Sequence, residues 1–93
     1  MARYVTLLRF TDQGARGLKQ SAARARAFSK AAEKAGLTVE AQLWTAGACD
    51  GVLILSSEEQ QILRCLAQLV ARGNIRTETL RAFEAEEFSG STG

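Results

Sequence analysis

Two segments of strand period adjoin in the middle of this chain, and the residues between them, Trp44-Thr45-Ala46-Gly47-Ala48-Cys49-Asp50, can continue neither. Leu37 to Thr45 sets Val39, Ala41 and Leu43 against Glu40, Gln42 and Trp44, the two-residue period of a strand. Gly51 to Leu55 is a short, almost wholly apolar run. Gly47 and Asp50 supply turn chemistry between them, a glycine free to take positive φ and an aspartate able to bond its own backbone. The stretch reads as the tip of a β-hairpin.

With Ala48 and Cys49 as a two-residue loop, Gly47 faces Asp50, Trp44 faces Leu53 and Leu43 faces Ile54. That register turns Val39, Ala41, Leu43, Val52 and Ile54 toward the helices. The other side then presents Glu40, Gln42, Trp44, Leu53 and Leu55, a half-apolar surface that a monomer should not leave in water.

Arg3 to Phe10 is short, rich in β-branched and aromatic residues, and closed by Thr11-Asp12-Gln13-Gly14, so it predicts a first strand. Neither of its faces is fully polar, as expected of a sheet covered on both sides. Residues 15 to 20 allow a short turn. Ser21 can cap a helix running through Ala35, stopped by Gly36. Ala25, Phe28, Ala32 and Ala35 fall at three-four spacing and would pack on the sheet, leaving Arg24, Arg26, Lys30, Glu33 and Lys34 as a solvated outer face.

Ser56 or Ser57 opens a second helix, as Ser56-x-x-Glu59 or Ser57-x-x-Gln60, with Ile62, Cys65, Leu66 and Leu69 as its buried stripe and Arg72-Gly73 as its end. Asn74 to Phe83 predicts the last strand, and the acidic, then Ser/Gly-rich, segment from Glu84 should fray. The order is β-α-β-β-α-β. It specifies an α+β ferredoxin-like sandwich, a four-stranded antiparallel sheet with two helices on one face.

At 93 residues the chain makes one domain, residues 1–88, followed by a flexible tail, 89–93. A chain this long removes about 60–65% of its unfolded surface from water on folding. Its core is modest, because alanine and aliphatic residues dominate and only Tyr4, Phe10, Phe28, Trp44, Phe83 and Phe88 are aromatic. Self-association is one way to gain buried area. No apolar run approaches the roughly 20 residues of a membrane span, and no signal-peptide core follows Met1, which points to the cytoplasm. Cys49 and Cys65 are then free thiols. Residues 1–36 carry eight Lys/Arg against two acids and residues 37–93 four against eight, a lopsidedness that solvated helix faces or complementary subunits explain as well as an acidic partner does.

Three stretches together resemble the GYD-domain family of small bacterial proteins: Tyr4-Val5-Thr6-Leu7-Leu8-Arg9-Phe10-Thr11, the hairpin Trp44-Thr45-x-Gly47-x-Cys49-Asp50, and Gly73 to Phe83. Gly47 and Asp50 match the signature, while Cys49 stands where tyrosine usually does. The resemblance spans nearly the whole chain. It implies a dimeric α/β barrel, in which two ferredoxin-like sheets pack face to face, and it implies no agreed activity. Relatives in the wider group include small oxygenases, isomerases, haem proteins and ligand-sensing domains, so the likeness constrains architecture rather than chemistry.

The chain has no histidine, which removes the commonest metal ligand, the usual proximal haem ligand and the usual acid-base residue. No metal or cofactor is expected. Gly14 and Gly17 stand alone and form no phosphate-binding loop. A sheet that binds RNA uses paired exposed aromatics, which are missing, so nucleic acid is not an expected partner.

Asp50 either bonds its own backbone or points a charge into a cleft. Arg76 and Glu78 share one face of the last strand and would hold an anionic or planar ligand near Trp44, or else form an ion pair. Thr6, Thr77 and Thr79 line the same region or are ordinary strand residues. Cys49 has no neighbouring base, and Asp50 would raise its pKa; Cys65 is a small core residue. These features predict a non-catalytic homodimer or larger oligomer that holds a small ligand between sheet and helices or at the dimer seam. The rival expectation is a cofactor-free oxygenase or isomerase with Trp44, Asp50 and Arg76 around a pocket.

Overall fold

A computed structural model describes residues 1–92. Strand β1 (Ala2–Phe10) leads through a single-turn helix α1 (Asp12–Arg16) and a 3-10 turn (Leu18–Gln20) into helix α2 (Ser21–Lys34). Strands β2 (Thr38–Trp44) and β3 (Gly51–Ser57) form the central hairpin, followed by α3 (Glu59–Ala71), β4 (Ile75–Ala82) and α4 (Ala85–Thr92). The sheet order is β2-β3-β1-β4 with every pairing antiparallel, the ferredoxin-like arrangement expected from the β-α-β-β-α-β order.

Local chemistry accounts for the boundaries. The Thr11 hydroxyl caps α1 by accepting from the Gly14 N–H at 3.1 Å and donates to the Gly73 carbonyl at 2.6 Å, tying the start of α1 to the loop before β4. Gly36 and Gly73 end the two long helices at φ 91° and 83°, a backbone that only glycine adopts without cost. Neither serine caps α3: β3 runs through Ser57, and Glu58 occupies the N-cap without a side-chain bond. The strand wins because each added residue gains ladder hydrogen bonds to β1, whose pairing reaches Ala2↔Ser57. The segment from Glu84, where fraying is expected, is helical over Ala85–Thr92, and Glu84 N–H donates to Glu87 Oε1 at 3.0 Å across its first turn. Gly93, the end of the expected 89–93 tail, lies outside the described residues.

The face assignment drawn from strict alternation is inverted. Leu53 and Leu55 face the helices and are 1% and 0% exposed; with Ala2, Tyr4, Thr6, Phe28, Ala32, Leu37, Ile62 and Leu66 they form the buried centre. Val5, Leu7, Ala41, Leu43, Val52 and Ile54 lie on the opposite, uncovered face. Two physical reasons decide it. A β-bulge at Glu40 pairs Val39 with Leu55 but Ala41 with Ile54, so Val39 joins the core while Ala41 and Leu43 do not. The alternation in β1 and β4 also puts Arg3, Arg9, Arg76 and Glu78 on the Val5 side, and helices over that face would desolvate four charges.

The hairpin register differs as well. Trp44 pairs with Gly51 and Gln42 with Leu53, and Thr45 N–H donates to the Asp50 carbonyl at 3.0 Å, which leaves residues 46–49 as the loop. The loop is longer than two residues because Thr45 Oγ donates to the Cys49 carbonyl at 2.7 Å and Gly47 takes φ 138° within it.

Candidate functional site: a pocket beneath Trp44

The layer between helices and sheet is sealed at one end and open at the other. At the sealed end the Tyr4 hydroxyl donates to Glu59 Oε1 at 2.5 Å, and Arg81 lies over the rings of Tyr4 and Phe83, 5.8 and 4.6 Å from their centroids. The bond to Glu59, then burial, pushes the Tyr4 phenol above its ordinary pKa.

The open end holds a cavity of about 90 Å³ at the carboxyl end of β1 and the amino ends of β3 and β4. Leu8, Phe10, Leu53 and Ile75 line it from the sheet, Ala25 and Phe28 from α2, and Leu69 from α3. Polar groups gather at its rim: Ser21 and Arg24 from α2, Arg72 and Asn74 from the α3–β4 turn, Gln42 from β2 and Asp50 from the hairpin. An apolar interior with a few polar side chains at the edge is the usual make-up of a small-molecule site.

Its walls are held by specific bonds. Trp44 Nε1 donates to Ser21 Oγ at 3.0 Å, laying the indole, 53% exposed, from β2 across to the start of α2. One turn of α2 further in, Gln42 Nε2 donates to the Ala25 carbonyl at 3.0 Å. Asp50 is fixed from two directions: its N–H donates to the Leu8 carbonyl at 2.8 Å, and its Oδ2 accepts the Phe10 N–H at 2.9 Å. The aspartate therefore bonds the neighbouring strand rather than its own turn, and it pins the hairpin to β1. Arg24 Nη1 donates to the Gly17 carbonyl at 2.8 Å, while no described carboxylate pairs with Arg72.

Of the candidates read from sequence, Trp44 and Asp50 meet in this pocket, and Arg76, Glu78 and Thr6 lie outside its lining. Arg76 stands opposite Arg9 on the uncovered sheet face, where Glu78 Oε1 is 3.8 Å from Arg9 Nη1. Thr6 is fully buried under the helices, its hydroxyl 3.4 Å from that of Thr79. Cys49 is half-buried in the loop, with Sγ 3.4 Å from Thr45 Oγ, and burial pushes the Cys65 thiol up. Among the described residues there is no cluster of three potential metal ligands.

Sequence patterning does not single out Phe10, Phe28, Arg24 and Arg72, which also line the pocket. The signal for the two phenylalanines was their size in segments otherwise built of small or aliphatic residues. Arg24 and Arg72 carried no signal, because an arginine on a helix usually faces water.

The hairpin geometry gives two of its residues physical tasks: Gly47 has a φ that favours glycine, and Asp50 carries the clamp to β1. The GYD domain family matches residues 4–91. The chain belongs to that family. No curated protein and no solved structure matches it. In this GYD domain, Cys49 sits in the hairpin loop with its Sγ 3.4 Å from Thr45 Oγ and is not among the residues that line the pocket.

Proposed function

We propose that this GYD domain is a cytoplasmic, non-catalytic homo-oligomer that holds a small, mainly apolar ligand in the pocket beneath Trp44. The pocket carries the reading: it is lined by apolar side chains from the sheet and from both long helices, yet its rim is built of fixed polar groups. A binding role fits better than catalysis. A cofactor-free enzyme built on Trp44, Asp50 and Arg76 would need the three together, and within one subunit Arg76 is on the far side of the sheet from Trp44. One Asp50 oxygen is already engaged by the Phe10 N–H, and the chain has no histidine to share proton transfer.

Self-association is supported by the uncovered sheet face. Val5, Leu7, Val52 and Ile54 form an apolar centre there, extended by Leu43 and Leu80, which are 58% and 45% exposed. Charges flank it, with Arg3 bonded to Glu40 and Glu84 at one end and Arg9, Arg76 and Glu78 at the other. A second sheet laid on this centre would bury it and leave the charges at the margin of the contact.

Trp44 is the single tryptophan, so its emission reports on the pocket directly. Titration with benzyl alcohol, small and neutral, should shift that emission saturably, and filling the pocket with Ala25→Leu should abolish the response. An unchanged spectrum at millimolar concentration overturns the binding reading. Light scattering at micromolar concentration should give at least twice the 10.0 kDa chain mass; a monomer overturns the assembly reading.

A further inference from the structure

The rim charges of the pocket are unequal, and the imbalance selects a ligand. Two arginines, Arg24 and the exposed Arg72, are among its lining residues against one acidic residue, Asp50. Asp50 spends one oxygen on the Phe10 N–H. Arg24 is half-buried and spends one nitrogen, Nη1, on the Gly17 carbonyl, which fixes the group at the rim and leaves its other donors free. Arg72 ends α3, where its backbone N–H bonds back to Leu69 and its carbonyl accepts from Gln13 Nε2 at 3.0 Å. Among the described residues its guanidinium has no carboxylate partner.

A charge at the end of a helix is ordinarily explained by the helix dipole. That explanation covers the position of Arg72 in sequence but not its place in the lining of an apolar pocket. An arginine fork beside apolar walls matches a carboxylate attached to an apolar body: the body leaves water for the space among Phe28, Leu53 and Leu69, and the carboxylate takes charge-assisted hydrogen bonds at the rim.

We infer that the pocket is a site for small apolar monocarboxylic acids, aromatic or short aliphatic, with the carboxylate held at the Arg24–Arg72 rim and the body under Trp44. This rests on the binding role proposed above. It goes further by naming the ligand's charge and the residue that reads it.

The test uses three ligands of one shape and different charge, phenylacetate, phenylacetamide and phenethylamine, titrated against the full chain at neutral pH with Trp44 emission and calorimetry as readouts. Phenylacetate should bind at least tenfold more tightly than the amide, and the amine most weakly. Arg72→Gln should bring the acid down to the amide's affinity and leave the amide unchanged, a selective loss that a merely structural arginine would not produce. Equal affinities for acid and amide in the wild type would overturn the acid assignment while leaving the pocket as a neutral apolar site. Preference for the amine would overturn it by making Asp50 the reader of charge. No response to any of the three from a folded chain would overturn this inference and the pocket reading together.

Discussion

The two faces of the sheet are almost equally apolar but fare differently. On the covered face Leu53, Leu55 and Thr6 are at most 1% exposed, and Ile62 and Leu66 pack down from α3. On the other, residues of the same kind one step along the same strands, Val52 and Ile54, are only half-buried, and Leu43 at the edge is 58% exposed. Apolar character alone therefore does not decide which face the helices cover. The charges do: on β1 and β4 the open face carries Arg3, Arg9, Arg76 and Glu78, while the covered face carries Arg81 alone, laid over the Tyr4 and Phe83 rings, and sends polar side chains into short internal bonds, Thr6 to Thr79 and Gln42 to Ala25. A face that cannot be buried by its own helices and should not stay wet is suited to a second sheet.

The contrast is largest at adjacent residues of β3. Leu53→Ala should cost about 2–5 kcal/mol in urea unfolding and lower the melting temperature by about 10 °C or more, since a fully enclosed side chain is removed from a packed layer. Ile54→Lys should leave the subunit folded by circular dichroism but reduce its mass in light scattering to that of one chain. If Ile54→Lys unfolds the chain outright, the two faces are not separable as described. If it leaves the mass of an assembly unchanged, the sheet face is not the seam.

A middle-sized effect separates the faces on β2. Gln42→Ala removes the bond to the Ala25 carbonyl and frees α2 from the edge strand, at a cost of about 1–2 kcal/mol. Its open-face neighbour Leu43→Ala should change subunit stability by less than about 0.5 kcal/mol, because more than half of that side chain is already in water. Equal losses at the two positions would mean that the edge strand is held from both sides.

These same residues mark where sequence reasoning succeeds and where it stops. Element order, strand polarity and the glycine stops at Gly36 and Gly73 follow from local periodicity and backbone freedom, which depend on a few consecutive residues. The face assignment depends on something non-local. One extra residue at Glu40 reverses the alternation along β2, and no local pattern distinguishes a bulge from a strand that simply continues. Yet Arg3, Arg9, Arg76 and Glu78 were visible, and following their parity across the sheet would have chosen the correct face. Trp44 and Asp50, which line the pocket, were singled out by the hairpin chemistry. Arg24 and Arg72 were not, since they reach the pocket from the ends of two helices whose approach only the folded chain defines.

The smallest effect lies at the charged end of the open face, where the bulge places Glu40. Arg3 Nε donates to Glu40 Oε2 at 2.8 Å, and this bond, with a second from Ser56, holds the Glu40 carboxyl below its ordinary value of 4.5. Because the folded chain then binds this proton less readily than the unfolded one, the contribution is complete above pH 4.5 and is lost as pH falls through the lowered folded value. Glu40→Gln should therefore flatten the acid side of the stability profile, with wild type and variant converging below that range and differing slightly near pH 7. The difference is small because both partners are about one-third exposed and the pair is screened by solvent. Covering this face with a second sheet would reduce that screening, so the gap between the two proteins should widen at concentrations that favour assembly. A gap independent of concentration would place Glu40 outside the seam and confine the contact to the apolar centre around Ile54.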